Sequence, residues 1–222
     1  MTLVQQEPKY IVMGYSYLPN EHTLAYYPFN SKTQLTDQSG NNDNWTKEGS
    51  WTPVYWTIGS IWYVTMDNCY MSATPMIDMS WDFTISYWIN NVSGRFYWVQ
   101  QFNHSTGGSA VAITSDFAGI SIWGKGDDRF GIASMPSGWV NIVLTYTPWT
   151  MKLYLNNTLV WTKSRTVNTA TPDYFWVNTA GELSNHETYS WIYSELIIED
   201  KEWTDDERTA YFNQAKWNYW IS

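Results

Sequence analysis

The stretch from Gly138 to Thr162, GWVNIVLTYTPWTMKLYLNNTLVWT, decides the fold. Ile142 and Leu144 fall on one face of an extended chain, and Leu153 and Leu155 on one face of the next. This period of two is the signature of strands with one buried face. Turns at Pro148–Thr150 and Asn156–Asn157 separate the runs, predicting strands over Trp139–Tyr146, Met151–Leu155 and Thr158–Thr162. Asparagine suits the second turn because it tolerates positive φ. Trp149 in the first turn is unexpected. Turns of this kind favour glycine, which has no Cβ to clash.

The alternation extends outward. FTISYWI places Phe83, Ile85, Tyr87 and Ile89 on one face, and Thr84, Ser86 and Trp88 on the other. Further strands are predicted from Thr23 to Phe29, Ser60 to Tyr70, Asp82 to Asn90, Phe96 to Phe102 and Ala110 to Thr114. Others run from Gly119 to Trp123, Arg129 to Ala133, Tyr174 to Val177 and Trp191 to Glu199. One helix is predicted from Thr204 to Lys216. Thr204 is its N-cap, Asp205, Asp206 and Glu207 fill the first turn, and Glu207 completes a capping box. Many short strands and one terminal helix define an all-β, two-sheet antiparallel sandwich. Its core is expected to hold Phe83, Ile85, Ile142, Leu144, Leu153, Leu155, Leu196 and Ile198. Residues 1–22 read as a lead-in and 23–222 as one domain.

Composition narrows the partners. Aromatics make up 18% of the 222 residues, too many for a disordered chain, and only 15% are charged. The net charge of −9 argues against a nucleic-acid groove and against adhesion to anionic lipid. Neutral glycans, proteins and divalent cations are left as partners. Cys69 is the sole cysteine, so no intrachain disulfide forms, and it reads as a small buried hydrophobe. No stretch approaches the roughly 20 apolar residues of a membrane span, so no membrane insertion is expected. The start, MTLVQQEPKY, lacks the pattern of a signal peptide.

Four stretches taken together resemble the laminin-G-like, concanavalin A-like jelly rolls. They are LAYYPFNSKTQLTDQSGNNDN, DFTISYWI, the Gly138–Thr162 stretch, and SELIIEDKEWTDDERTAYFN. The resemblance covers about residues 23–216 and implies a jelly-roll sandwich that hosts lectins, adhesion modules, structural domains and glycosidases. It also implies calcium near the first-strand loop and the last strand, with Asp37, Asn41, Asn42 and Glu195 as the matching ligands. Asn141 stands where the family often has histidine, and Ser194–Glu195 where Asp–Glu is common. Trp81, Trp149, Trp161, Trp176 and Trp191 stand at glycine-like positions of the pattern. Trp45, Trp51, Trp56 and Trp220 read the same way, whereas Trp88, Trp139 and Trp203 match expected tryptophans. Two readings of the first group stand side by side. They are UGA codons natively read as glycine, or they form an aromatic surface that stacks on sugars.

Catalytic chemistry finds little support. A glycosidase on this fold needs two carboxylates about 5–9 Å apart, carried as Glu-x-Asp-x-x-Glu on one strand in the glucanase branch. ELIIED places Glu195 and Glu199 on one face but lacks the intervening Asp. Glu195 reads as structural or metal-side, and Glu199 as a polar strand end. His22, His104 and His186 lie in no nucleophile or zinc motif. GKGDDRFG (Gly124 to Gly131) lacks the helix of a phosphate loop and reads as a hairpin with Asp127–Asp128 in its turn. The expectation is a non-catalytic, extracellular or cell-surface module binding a glycan or surface protein. Its binding edge would be Phe102, Asn103 and His104 with Asp127, Asp128 and Arg129. The alternative is a structural or decoration protein of a virion or surface appendage with no small ligand.

Overall fold

The computed structural model describes residues 17–29, 35–49, 52–58, 61–66, 69–73, 77–78, 80–91, 96–103, 108–116, 119–123, 130–132, 136–165, 174–177, 179–180, 187–188 and 191–219. Among them, two antiparallel sheets face each other. The first runs from edge to edge through Thr158–Arg165, Trp149–Leu155, Gly138–Thr147, Phe83–Asn91, Trp191–Glu199, Ile61–Met66 and Val54–Ile58. Thr23–Tyr27 also pairs with the far half of Trp191–Glu199. The second sheet runs through Phe130–Ile132, Gly119–Trp123, Gly108–Asp116, Phe96–Asn103, Tyr174–Val177, Cys69–Ala73 and Thr46–Gly49. The expected all-β jelly-roll sandwich with one short C-terminal helix is therefore the observed architecture.

Each of the eight expected core residues is buried, between 0% and 5% exposed, in the cluster between the sheets. Val64, Met71 and Ile113 join them there, so strands from both sheets contribute. The face assignment of Phe83–Asn91 also stands: Phe83, Ile85, Tyr87 and Ile89 enter this cluster, and Trp88 points the other way.

The opposite face of the first sheet is not left to water. Trp88, Val143, Tyr154 and Ile197 meet Tyr211, Phe212 and Ala215 of the helix Asp205–Ala215, and Tyr219 of the one-turn helix that follows. The helix buries Arg208, Tyr211, Phe212 and Ala215, a spacing that stacks side chains along one stripe. Its N-terminus is the predicted one. The Thr204 side chain accepts from the Glu207 N–H, and the Glu207 carboxylate accepts from the Thr204 N–H.

Two differences from the sequence reading concern the Ser60–Tyr70 region and the edges. That single predicted strand is two strands in different sheets, Ile61–Met66 in the first and Cys69–Ala73 in the second. Asp67 and Asn68 lie between the two strands in sequence, a polar pair of turn-forming type that the sequence reading took into a single strand. Thr46–Gly49 and Val54–Ile58 are strands the sequence did not mark. Both are sheet edges, one carrying Lys47 and Glu48 and the other exposing Val54 and Trp56. Edge strands need no buried alternation and are commonly blunted by charge.

Leu153 is fully buried beside Leu144. Leu153→Ala is expected to cost about 2–5 kcal/mol in urea unfolding. A cost under about 0.5 kcal/mol would place this face at the surface.

Candidate functional site

The site grows from one irregularity in the last strand. Along Trp191–Glu199 the register shifts between Ser194 and Leu196, and Glu195 takes φ 46°. The extra residue of a bulge turns two consecutive side chains to one face. Ser194 and Glu195 both point toward the helix, then Leu196 and Ile198 face the core while Ile197 and Glu199 face the helix. Two carboxylates, 5% and 1% exposed, thus lie under the helix side of the sheet.

Neutral donors hold them. The Tyr26 hydroxyl donates to Glu195 Oε1 at 2.9 Å and the Tyr211 hydroxyl to Oε2 at 3.1 Å. Trp88 Nε1 donates in turn to the Tyr211 hydroxyl at 2.9 Å. Glu199 Oε1 accepts from the Tyr17 hydroxyl and from Asn20 Nδ2, and Oε2 accepts from Trp203 Nε1. Burial, and after it the Glu195 carboxylate, push the Tyr26 and Tyr211 hydroxyls far above their ordinary value. Burial and the hydrogen bond to Glu199 do the same for Tyr17. These phenols stay protonated and keep donating. Glu199, read from the sequence as a polar strand end, is the last residue of its strand and a buried acceptor.

Beside this network lies an open pocket between residues 17–20, the end of the last strand and the helix. Tyr17, Trp203 and Tyr211 give it an aromatic base, and Asn20, Lys201, Glu207 and Gln214 supply donors and acceptors. Lys201 Nζ meets Glu207 Oε1 at 2.5 Å. Burial would raise the Glu207 carboxyl, but hydrogen bonds from Lys201 and Thr204 outweigh it and hold the carboxyl below the usual glutamate range. A second pocket is lined by Asp78, Trp81, Asp82 and Asp200 around Leu24, Ile77 and Phe83. His22 Nδ1 lies 2.9 Å from Asp200 Oδ1 at the protein surface.

Phe102 and Asn103 end a strand whose backbone pairs Asn103 with Gly108, and Gly119–Trp123 pairs with Phe130–Ile132 as a hairpin. The strand order of this meander puts Asn103, Gly108, Trp123 and Phe130 toward one end of the second sheet. His104, Asp127, Asp128 and Arg129 lie outside the described residues.

Of the calcium candidates, Asp37 and Asn41 share one loop. Asp37 accepts from the N–H groups of Tyr26, Ser39 and Asp43 and from the Ser39 hydroxyl. Asn41 turns its amide nitrogen to the carbonyls of Thr23 and Leu24, and Asn42 Nδ2 faces the Gly40 carbonyl. Glu195 sits at the hydroxyl end of Tyr26, while Asp37 sits at that residue's backbone N–H. Among the described residues, no group of three His, Cys, Asp or Glu gathers as a metal site. Sequence reasoning missed Asn20, Lys201 and Gln214 as pocket residues. Only the exposed face of the predicted helix could have signalled Gln214.

No protein-family model and no curated protein sequence match the chain. Solved structures do. One is botulinum neurotoxin type C, whose cell entry depends on interaction with two ganglioside molecules. It has a TM-score of 0.66 and 17% identity, over 86% of this chain and 51% of that one. Another is the binding domain of botulinum neurotoxin DC in complex with rat synaptotagmin II, with a TM-score of 0.67 and 18% identity, over 86% and 51%. A third is domain 4 of an extracellular arabinanase from Geobacillus stearothermophilus, in complex with arabinotriose. Its TM-score is 0.67 at 15% identity, over 86% of this chain and 98% of that one. The chain spans about half the length of the neurotoxin chains it matches. At these identities the likeness establishes a fold. The protein is a jelly-roll β-sandwich.

Tyr211→Phe removes a donor from Glu195 and the acceptor of Trp88 Nε1 without changing the ring. It is expected to cost about 2–4 kcal/mol in urea unfolding, since both partners are left buried. A loss under about 0.5 kcal/mol would show that the phenol–carboxylate network contributes nothing.

Proposed function

We propose that this chain is a non-catalytic recognition module that binds a glycan outside the cell, in the pocket between Tyr17–Asn20 and the helix. The observation that carries this reading is the state of the carboxylates lining that pocket. Glu199 is saturated by Tyr17, Asn20 and Trp203, and Glu207 is ionised and tied to Lys201 and the helix cap. A glycosidase needs one carboxyl protonated as acid and the other free as base or nucleophile. What the pocket offers is an aromatic base with mixed donors and acceptors at its rim, the arrangement that suits a neutral polyhydroxylated ligand. The ganglioside, arabinotriose and synaptotagmin partners named for the structural neighbours support a binding role and keep a surface protein as the rival ligand.

Ala210 lines the pocket and is exposed, so Ala210→Trp fills the space without disturbing the core. On an array of neutral oligosaccharides, the parent protein is expected to bind and Ala210→Trp to lose binding at an unchanged melting temperature. Binding that survives this substitution moves the site elsewhere. Absence of binding to any oligosaccharide overturns the glycan reading.

Calcium, as the family resemblance implies it, would have to displace the N–H donors that already hold Asp37. A metal bound only by the native state at about 100 times its Kd adds about 2.7 kcal/mol. If the Asp37 loop takes calcium, the melting temperature is higher in millimolar calcium than in EDTA, and Asp37→Ala abolishes the difference. Equal melting temperatures remove calcium from the reading.

A further inference from the structure

We infer that position 149 is glycine in the protein made by its own cell, its codon being a UGA that the cell reads as glycine. Pro148 and Trp149 form the two-residue turn between Gly138–Thr147 and Trp149–Leu155, closed by the Thr147–Thr150 pair. Proline presets the second residue of such a turn, and a type II turn then demands φ near +80° at the third, a slot for glycine. Trp149 has φ 82°.

The other positive-φ residues show why this one stands apart. Phe29, Asn42, Asn156, Asn157 and Glu195 lie between φ 46° and 64°... specifically 47°, 63°, 47°, 64° and 46°, within or near the left-handed region open to side chains. Gly40 and Gly138 lie at 99° and 79°, and Trp149 falls in their range. Three of the side-chain residues are asparagine, which tolerates such backbone. Phe29 is 1% exposed and stacked on Tyr27, and Glu195 is held by two tyrosines, so packing or hydrogen bonding offsets their strain. Trp149 is 66% exposed. An indole in that position adds strain and gains little packing in return. Trp88 and Trp203 show the contrast: both are buried, and both ring N–H groups donate to a buried partner. Of the remaining glycine-like positions, Trp51 and Trp220 lie outside the described residues, and four others divide by packing. Trp56 and Trp81 are exposed, Trp45 is buried, and Trp161 is half-buried against the core. The inference rests on position 149 alone, and the proposed pocket does not include it.

The codon is read first. A UGA at 149, with UGG at 88 and 203, is expected, and UGG at 149 overturns the inference. Mass spectrometry of the peptide spanning residue 149, from protein made in the source cell, should report glycine. Tryptophan there overturns it equally. Synthetic genes then test the backbone argument. Trp149→Gly is expected to raise the melting temperature by about 2–4 °C, and Trp149→Ala, which keeps the Cβ, to give no such rise. A fall on Trp149→Gly, or an equal rise for alanine, refutes glycine as the residue this turn is built for.

Discussion

The helix side of this sandwich depends on burying two carboxylates under a helix and satisfying them with phenols and an indole. Charge taken out of water is costly unless hydrogen bonds replace the lost solvation. Glu195 obtains them from Tyr26 and Tyr211, which come from the first strand and the helix. Glu199 obtains them from Tyr17, Asn20 and Trp203, which come from the segments before the first strand and before the helix. Each carboxylate therefore ties both ends of the described chain to the last strand. Part of the aromatic content noted in the sequence serves here, where a ring fills volume and its polar tip supplies a donor.

This constraint extends to the neighbouring elements. Trp88 stacks on Tyr219 at 3.9 Å and bonds Tyr211, linking the central strand of the first sheet to the helix and the turn after it. Arg208, 6% exposed, lies 3.7 Å over the Tyr154 ring, bonds Asn157 in the hairpin turn and pairs with Asp205. Asn157 Nδ2 reaches Thr209. The Asn156–Asn157 turn thus fixes the hairpin register and also docks the helix. A charged residue inside the interface is tolerated because its guanidinium finds a ring face and several acceptors at once.

Legibility followed local periodicity. The core face of Phe83–Asn91 and the hairpin strands alternated in sequence and is buried as read, because period two directly encodes which side chains share a face. The capping box was readable because its partners are three residues apart. The bulge at Glu195 was not readable: SELIIE is two polar residues followed by three apolar ones, which shows no period of two, and only the register of pairing with neighbouring strands exposes the extra residue. The pocket was equally hidden, since Asn20, Lys201 and Gln214 are ordinary polar residues until the fold brings them together.

The sequence by itself determined the class of the fold, the core face of its principal strands and the start of its helix. Each is set by neighbours a few residues apart, whose sterics and hydrogen bonds act before any tertiary contact exists. Only the tertiary structure decided that the second face of the first sheet is covered, that Glu195 and Glu199 are buried acceptors, and that a pocket opens beside them. Those features depend on contacts across as many as 182 positions of chain, as between Tyr17 and Glu199, and no local pattern encodes such a pairing.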